Sequence, residues 1–341
     1  MSTILTSEKK INAFYLLGNL LKNPDASLLQ LIGSAQHYNA WFTPQNTQQA
    51  LAAIGEMLNH NDLETWLTNT RTSGQSSKTV GLVLAGNIPV VGLHDILCVL
   101  ASDHQAMIKL SSQDQKLIPY ILQKLTEIEP AFTDRFRFVE RLNNFDAVIA
   151  TGSNNTSRYF EYYFKNVPHI IRRNRNSIAI LQGSETGAEL QTLGHDIFDY
   201  FGLGCRNVSK IYVPENYDFD HFFKSIEEFK TITDHHKYHH NYDYNKSIFL
   251  VNLEKHLDNG FLLLKQDERL VSPLAVLYYE EYSSLDTLQS QLELMADQIQ
   301  CVVSKATLNL PIPQVSFGQS QNPKLWDYAD GINTMEFLNS L

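Results

Sequence analysis

The chain has 341 residues and carries 27 Lys and Arg against 37 Asp and Glu, a net charge of −10. That length is enough for roughly two domains of ~150 residues, and a chain of this size buries enough surface to fold without a metal or a disulfide. The acidic balance excludes a general nucleic-acid binder, which needs surplus cations to release counterions from phosphates, and 43% apolar with 19% charged residues excludes a disordered chain.

Met1 to Lys10 is polar, and the amphipathic stretch Ile11 to Leu21 lacks a small-residue cleavage site, so no export signal is expected. Ile11, Phe14, Leu17, Leu20 and Leu21 follow a helical period that Asn23-Pro24 ends. Further helical stripes run through Leu28 to Ile32 and Ala50 to Leu58, and Thr72 to Lys78 reads as a loop or boundary. This helical start is expected to pack on the sheet rather than to cover an acyl tunnel. The apolar run Val80 to Ala85 has strand length; with Asn87 and Pro89 in it, Val80 to Val91 cannot cross a membrane.

Beyond it, helices are expected at 90 to 101, 113 to 127 and up to Phe164. Strands are expected at 106 to 110, 136 to 139, 147 to 150, 170 to 171 and 178 to 181. Strands alternating with helices predict an α/β chain with a mostly parallel sheet, whose ligands sit at the carboxyl ends of the strands. The second half repeats the pattern less regularly. Helices are expected at 185 to 201, 219 to 229 and 285 to 297, and strands at 209 to 213, 248 to 251, 274 to 278 and 300 to 304.

Three cysteines, an odd and sparse set, fit free thiols in a reducing cytoplasm better than a disulfide framework. Cys98 and Cys301 lie in apolar runs and read as buried. Cys205, in Phe201-Gly-Leu-Gly-Cys205-Arg206, follows two glycines that admit a ligand close to the backbone, and Arg206 is a cation of the kind that lowers a thiol pKa. Asn87 ends the first strand, where its amide either meets a ligand or caps the turn. Thr151-Gly152-Ser153 opens a helix after a strand, a geometry that binds anions, although no G-x-G-x-x-G is present. His235, His236, His239 and His240 read as a solvated polar segment rather than a metal site. Arg172, Arg173 and Arg175 form the one dense cationic cluster, either a phosphate contact or a solvated strand edge.

Taken in order, Ala85 to Pro89, Met107 to Ser111, Ala150 to Ser153, Gly202 to Cys205, Val271 to Val276, Phe317 to Pro323 and Asp327 to Gly331 resemble the aldehyde dehydrogenase superfamily. The last two segments point to its acyl-CoA reductase branch, which includes the fatty-acyl reductase of bacterial luminescence. The resemblance implies two α/β domains with the active site in the cleft between them. It assigns 1–182 to a helical start and a Rossmann-like cofactor domain, 183–305 to a catalytic domain, and 306–341 to a segment packing back across the domains or at a subunit interface.

The resemblance also implies roles. Cys205 is the nucleophile that forms a thioester, and Asn87 donates its amide to the oxyanion. Lys109, with Ser111 and Ser112, meets the adenosine ribose, and Thr151, Gly152 and Ser153 meet the pyrophosphate. The stretch Ile170 to Ser177, where relatives carry a Glu that activates water, has no carboxylate, which favours the CoA-linked reaction. Ser112 stands where NAD-preferring relatives place a Glu, so NADPH is expected over NADH, with nearby Asp114 as a counterweight. The implied activity is NADPH-dependent reduction of an acyl-CoA to an aldehyde. The alternatives are an aldehyde dehydrogenase that makes a free acid, and a non-catalytic acyl-CoA binder. Expected partners are the acyl-CoA substrate, a second copy of the chain, and an acyl-transferase or synthetase; no nucleic acid, membrane insertion or metal is expected.

Overall fold

The computed structural model describes residues 5–68, 77–152 and 154–341. It divides into two compact units: residues 1–174 with 323–341, and residues 175–322.

The first unit opens with helices α1 (Ser7–Lys22), α2 (Ala26–Ser34), α3 (Pro44–Met57) and α4 (His60–Leu67). Each starts on a side-chain cap: the oxygens of Thr6, Asp25, Thr43 and Asn59 accept from the backbone N–H groups that begin the helix. Then come β1 (Thr79–Val83), α5 (Leu93–Ala101), β2 (Gln105–Lys109), α6 (Leu117–Ile128), β3 (Phe136–Phe138), β4 (Ala147–Thr151), α7 (Asn154–Phe164) and β5 (His169–Arg172). The five strands are all parallel and run in the order β3-β2-β1-β4-β5.

α1 packs on other helices of this unit. It lies against α3, α4 and α6, its Phe14 ring stacks on Phe132 at 5.6 Å, and its buried Lys10 donates to Ala101 O at 2.9 Å and pairs with Asp103 at 2.8 Å. Fully burying an aromatic such as Phe14 contributes about 1.5–3 kcal/mol.

The second unit holds β6 (Asn176–Ile180), α8 (Gly187–Phe198), β7 (Val208–Pro214), α9 (Phe219–Ser225), α10 (His236–Val251), β8 (Leu257–Asp258), β9 (Leu263–Gln266), β10 (Val276–Tyr282), α11 (Leu285–Glu293), β11 (Ile299–Ser304) and β12 (Gln314–Val315). Its sheet order is β12-β11-β6-β7-β10-β9-β8, parallel except for the edge pair β8/β9. The chain then returns to the first unit, where α12 (Thr334–Asn339) packs on α5.

The sequence-based boundaries differ from these in several places. β6, read as part of the first domain, pairs with β7 and β11, so the division falls after residue 174. The C-terminal segment is shared, with 306–322 in the second unit and 323–341 in the first. Ile248 to Val251, expected as a strand, is the last turn of α10. Buried Tyr238, Tyr242, Asn245 and Phe249 continue one helical stripe through it, and a sustained 3.6-residue period outweighs four apolar residues in a row. The helix expected to reach residue 201 ends at Phe198, and that expected from 113 starts at Leu117. Thr72 to Ser76 lie outside the described residues. Among the described residues, no helix is long and apolar enough to cross a membrane.

Candidate active site

The order β3-β2-β1-β4-β5 changes direction between β1 and β4, the point at which open parallel sheets take up ligands beyond their carboxyl ends. Three neighbouring exits meet there. The chain leaving β1 carries Asn87, β2 ends at Lys109 and continues through Ser111 and Ser112, and β4 ends at Thr151 before Gly152. Leu84 N donates to Lys109 O at 3.1 Å, continuing the pairing into the exits. Lys109 and Ser112 are exposed, while Asn87, Ser111, Thr151 and Gly152 are half-buried. Ser153 lies outside the described residues.

The exit of β1 is held from below. Buried Asp114 accepts from Val90 N at 3.0 Å and from Leu117 N at 3.3 Å. Val90 has φ +54°, a left-handed conformation that β-branched residues seldom adopt, and the Asp114 bond secures it. Asn39 Nδ2 donates to Gly86 O at 3.3 Å. A Cβ on Gly86 would stand 2.6 Å from Ser111 Oγ, so the β1 and β2 exits approach more closely than a side chain there allows. Burial raises the Asp114 carboxyl above its usual pKa. Both its oxygens accept backbone N–H groups inside the fold.

In the second unit, Tyr200, Phe201 and Gly202 follow α8 with φ of 54°, 59° and 76°. For the two aromatic residues this left-handed turn costs about 1–2 kcal/mol each, so surrounding bonds must hold it. Buried Asn207 supplies them: its Oδ1 accepts from Gly204 N at 2.8 Å, and its Nδ2 donates to Asp199 O at 2.8 Å and Asp196 O at 3.2 Å. Ser177 of β6, also buried, donates from Oγ to Cys205 O at 3.1 Å and has Cys301 Sγ 3.1 Å from the same oxygen. Cys205 is half-buried, whereas Cys98 and Cys301 are buried. Burial pushes both of those thiols up and keeps them protonated.

Nearby segments of the sequence pattern are anchored too. The buried Asp196 carboxylate accepts from Gly318 N at 2.5 Å and Ser320 N at 2.9 Å. Ser209 Oγ donates to Leu270 O at 2.7 Å and Lys210 Nζ to Glu268 O at 2.9 Å, fixing the chain that leads into Val271 to Val276.

The cationic cluster at 172–175 is neither a phosphate contact nor a solvated edge at its first member. Arg172 is buried in the first unit. It grips Asp95 with Nε at 3.1 Å and Nη2 at 2.6 Å, and it donates to Ala329 O at 2.6 Å and Thr334 Oγ1 at 2.8 Å. Arg173 pairs with Glu161, and its N–H donates to Asp330 Oδ2 at 3.0 Å. His236, His239 and His240 are exposed on α10, with His239 3.3 Å from Asp243. Among the described residues, no group of three His, Cys, Asp or Glu side chains is arranged to hold a metal.

Sequence reasoning singled out Asn87, Lys109, Thr151-Gly152 and Cys205 but missed the residues that support them: Asn39, Ser177 and Asn207. It noted Asp114 as a carboxylate near the ribose position and missed that it holds Val90 and Leu117. Only Asn207 carried a readable signal, an Asn three residues after a Gly, a spacing suited to a turn closed by the Asn side chain.

A scan against family models and a search of curated proteins find no match. The fold does match solved structures. Aldehyde dehydrogenase 21 from Physcomitrella patens, in complex with succinate, is 11% identical, with a TM-score of 0.71 over 98% of this chain and 84% of that one. Aldehyde dehydrogenase KauB from Pseudomonas aeruginosa is 10% identical, with a TM-score of 0.70 over 98% and 83%. A Mycobacterium tuberculosis aldehyde dehydrogenase complexed with NAD+ is 13% identical, with a TM-score of 0.65 over 98% and 83%. The chain has the α/β fold of the aldehyde dehydrogenases, as the order of its motifs implied.

Proposed function

We propose that this chain is an NADPH-dependent acyl-CoA reductase that works through a Cys205 thioester. The observation that carries the reading is the contrast between the three thiols. Cys205 alone is half-buried and sits on a strained, clamped turn in a fold whose solved examples are aldehyde dehydrogenases. The Cys205 sulfur attacks the acyl carbon, the carbon–sulfur bond to CoA breaks, and CoA leaves as its thiolate. The Asn87 amide donates to the carbonyl oxygen as charge develops there, a donor worth about 3–4 kcal/mol in the transition state. With no carboxylate in Ile170 to Ser177, and with Arg172 locked on Asp95, that stretch supplies no base for water, so the thioester persists.

The residues at the β1, β2 and β4 exits fit a dinucleotide. Gly86 leaves room for the Ser111 side chain, and Gly152 stands where an added Cβ would meet Phe160 and Thr156 at 3.0 Å. Lys109 offers an exposed cation, and Ser112, with Asp114 turned inward, leaves a 2′-phosphate unopposed. NADPH, when bound, supplies the hydride that takes the acyl group to the aldehyde.

The test is absorbance of the reduced nicotinamide during incubation with NADPH or NADH and acyl-CoAs from acetyl to palmitoyl. Acyl-CoA-dependent loss of NADPH is the expected result. NAD-linked oxidation of an aldehyde without CoA would replace this reading with an acid-forming dehydrogenase, and tight acyl-CoA binding with neither reaction would replace it with a binder. Gly86→Val should weaken NADPH about tenfold or more, roughly 1.4 kcal/mol, because the Ser111 exit must move aside. Titration of bound NADPH fluorescence reads this directly, and an unchanged Kd would remove Gly86 from the cofactor site.

A further inference from the structure

Three successive peptide planes around Cys205 are fixed, the outer two by side chains and the middle one by a backbone N–H. The plane before Gly204 is set by its N–H donating to Asn207 Oδ1 at 2.8 Å. The Gly204–Cys205 plane is set by Asn207 N donating to Gly204 O at 3.1 Å. The plane after Cys205 is set by Ser177 Oγ donating to Cys205 O at 3.1 Å. Peptide units are planar, and none in the described chain is cis. Holding Gly204 O therefore also fixes the direction of the Cys205 N–H, which points the opposite way across the same plane.

Asn207 is fully used. Its Nδ2 protons go to Asp196 O and Asp199 O on the two sides of the α8 terminus, so the left-handed turn cannot rotate without breaking them. Ser177 is fully used as well. Its one proton goes to Cys205 O, so the Cys301 thiol is the donor across their 3.1 Å contact, which orients the hydroxyl. Both residues are buried, at 0% and 2% exposure, and neither presents a group to solvent.

We infer that Ser177 and Asn207 are positioning residues that aim the sulfur and the backbone N–H of Cys205 at an acyl carbonyl. This rests on Cys205 being the acyl-accepting nucleophile. Attack on a carbonyl needs the sulfur and a hydrogen-bond donor to converge on one group, and a small misplacement costs heavily. Alkylation of the same thiol by iodoacetamide needs only an accessible sulfur. The two reactions therefore separate aim from exposure.

The experiment uses the full chain, wild type against Ser177→Ala and Asn207→Ala. Acylation is read with p-nitrophenyl acetate. The sulfur bonds to the acetyl carbon, the ester carbon–oxygen bond breaks, and one equivalent of p-nitrophenolate is released as a burst. Alkylation of Cys205 is read by peptide mass spectrometry, and folding by thermal unfolding. Ser177→Ala is expected to slow the burst about tenfold or more and Asn207→Ala about 100-fold, with alkylation of folded protein changed less than threefold. An unchanged burst in Ser177→Ala would overturn the inference. So would a parallel fall of burst, alkylation and unfolding temperature, which marks a merely structural role. A wild-type protein with no burst would overturn it too. A wild-type burst without acyl-CoA-dependent oxidation of NADPH would sink the reductase reading alone, leaving the variants to decide this one.

Discussion

Cys205→Ala protein should lose acyl-CoA-dependent oxidation of NADPH by about 10,000-fold or more, the scale seen when an enzyme's covalent nucleophile is removed. Its stability should stay within about 1 kcal/mol of wild type. The side chain is half-buried, so little cavity is left, and the backbone carbonyl that accepts from Ser177 remains in place. Cys98→Ala is the matching control. It removes a fully buried thiol from α5, so it should cost about 1 kcal/mol of stability and leave turnover alone. Steady-state rates with each variant, alongside thermal melts, make the comparison. Turnover that survives Cys205→Ala would place the nucleophile elsewhere and end the thioester reading.

Arg172→Met should destabilise the first unit by about 3–5 kcal/mol, a large share of the 5–15 kcal/mol typical of whole proteins. The loss exceeds that of a surface ion pair because Asp95 is left buried without its partner, while Ala329 O and Thr334 Oγ1 lose their donor. The double variant Asp95→Leu/Arg172→Met should recover part of it, since no lone charge then remains inside. The three tryptophans, Trp41, Trp66 and Trp326, all belong to the first unit, so urea unfolding followed by tryptophan fluorescence reports that unit alone. A single-variant loss under 1 kcal/mol would show that the pair stays wet enough to be screened.

The alternation of strands and helices was legible in the sequence because parallel strands buried on both faces, such as Val80 to Val83 and Ala147 to Ala150, leave continuous apolar runs. Short edge elements were not legible. β8 and β12 have two residues each, too few for any period to show. The His-rich start of α10 hid its helix, since the buried stripe is Tyr, Tyr, Asn and Phe rather than aliphatic. At the candidate site, the residues that follow strand ends were named from their type and order. The supporting residues could not, because Ser177 and Asp114 act through backbone groups far off in sequence and carry no local pattern. Arg172 shows the converse: three arginines in four residues resemble an anion site, and only the fold reveals that Asp95 and the carbonyl of Ala329 claim the first.

The first unit is discontinuous in sequence, and this has a consequence for synthesis. Arg172 finds its acceptors at Ala329 and Thr334, His104 meets Leu338 O at 2.9 Å, and Trp66 donates to Tyr328 at 3.0 Å. All four of these partners are translated after the whole of 175–322. At roughly 5–20 residues per second, the ribosome needs on the order of 10–30 s to travel from residue 175 to residue 338. Throughout that interval the first unit lacks its closing segment, and the second has its complete sequence once residue 322 is made. The usual order, amino-terminal domain first, is therefore reversed for the final step. A nascent chain stalled just past residue 322 should protect the second unit from protease while the strands around β5 remain open to cleavage.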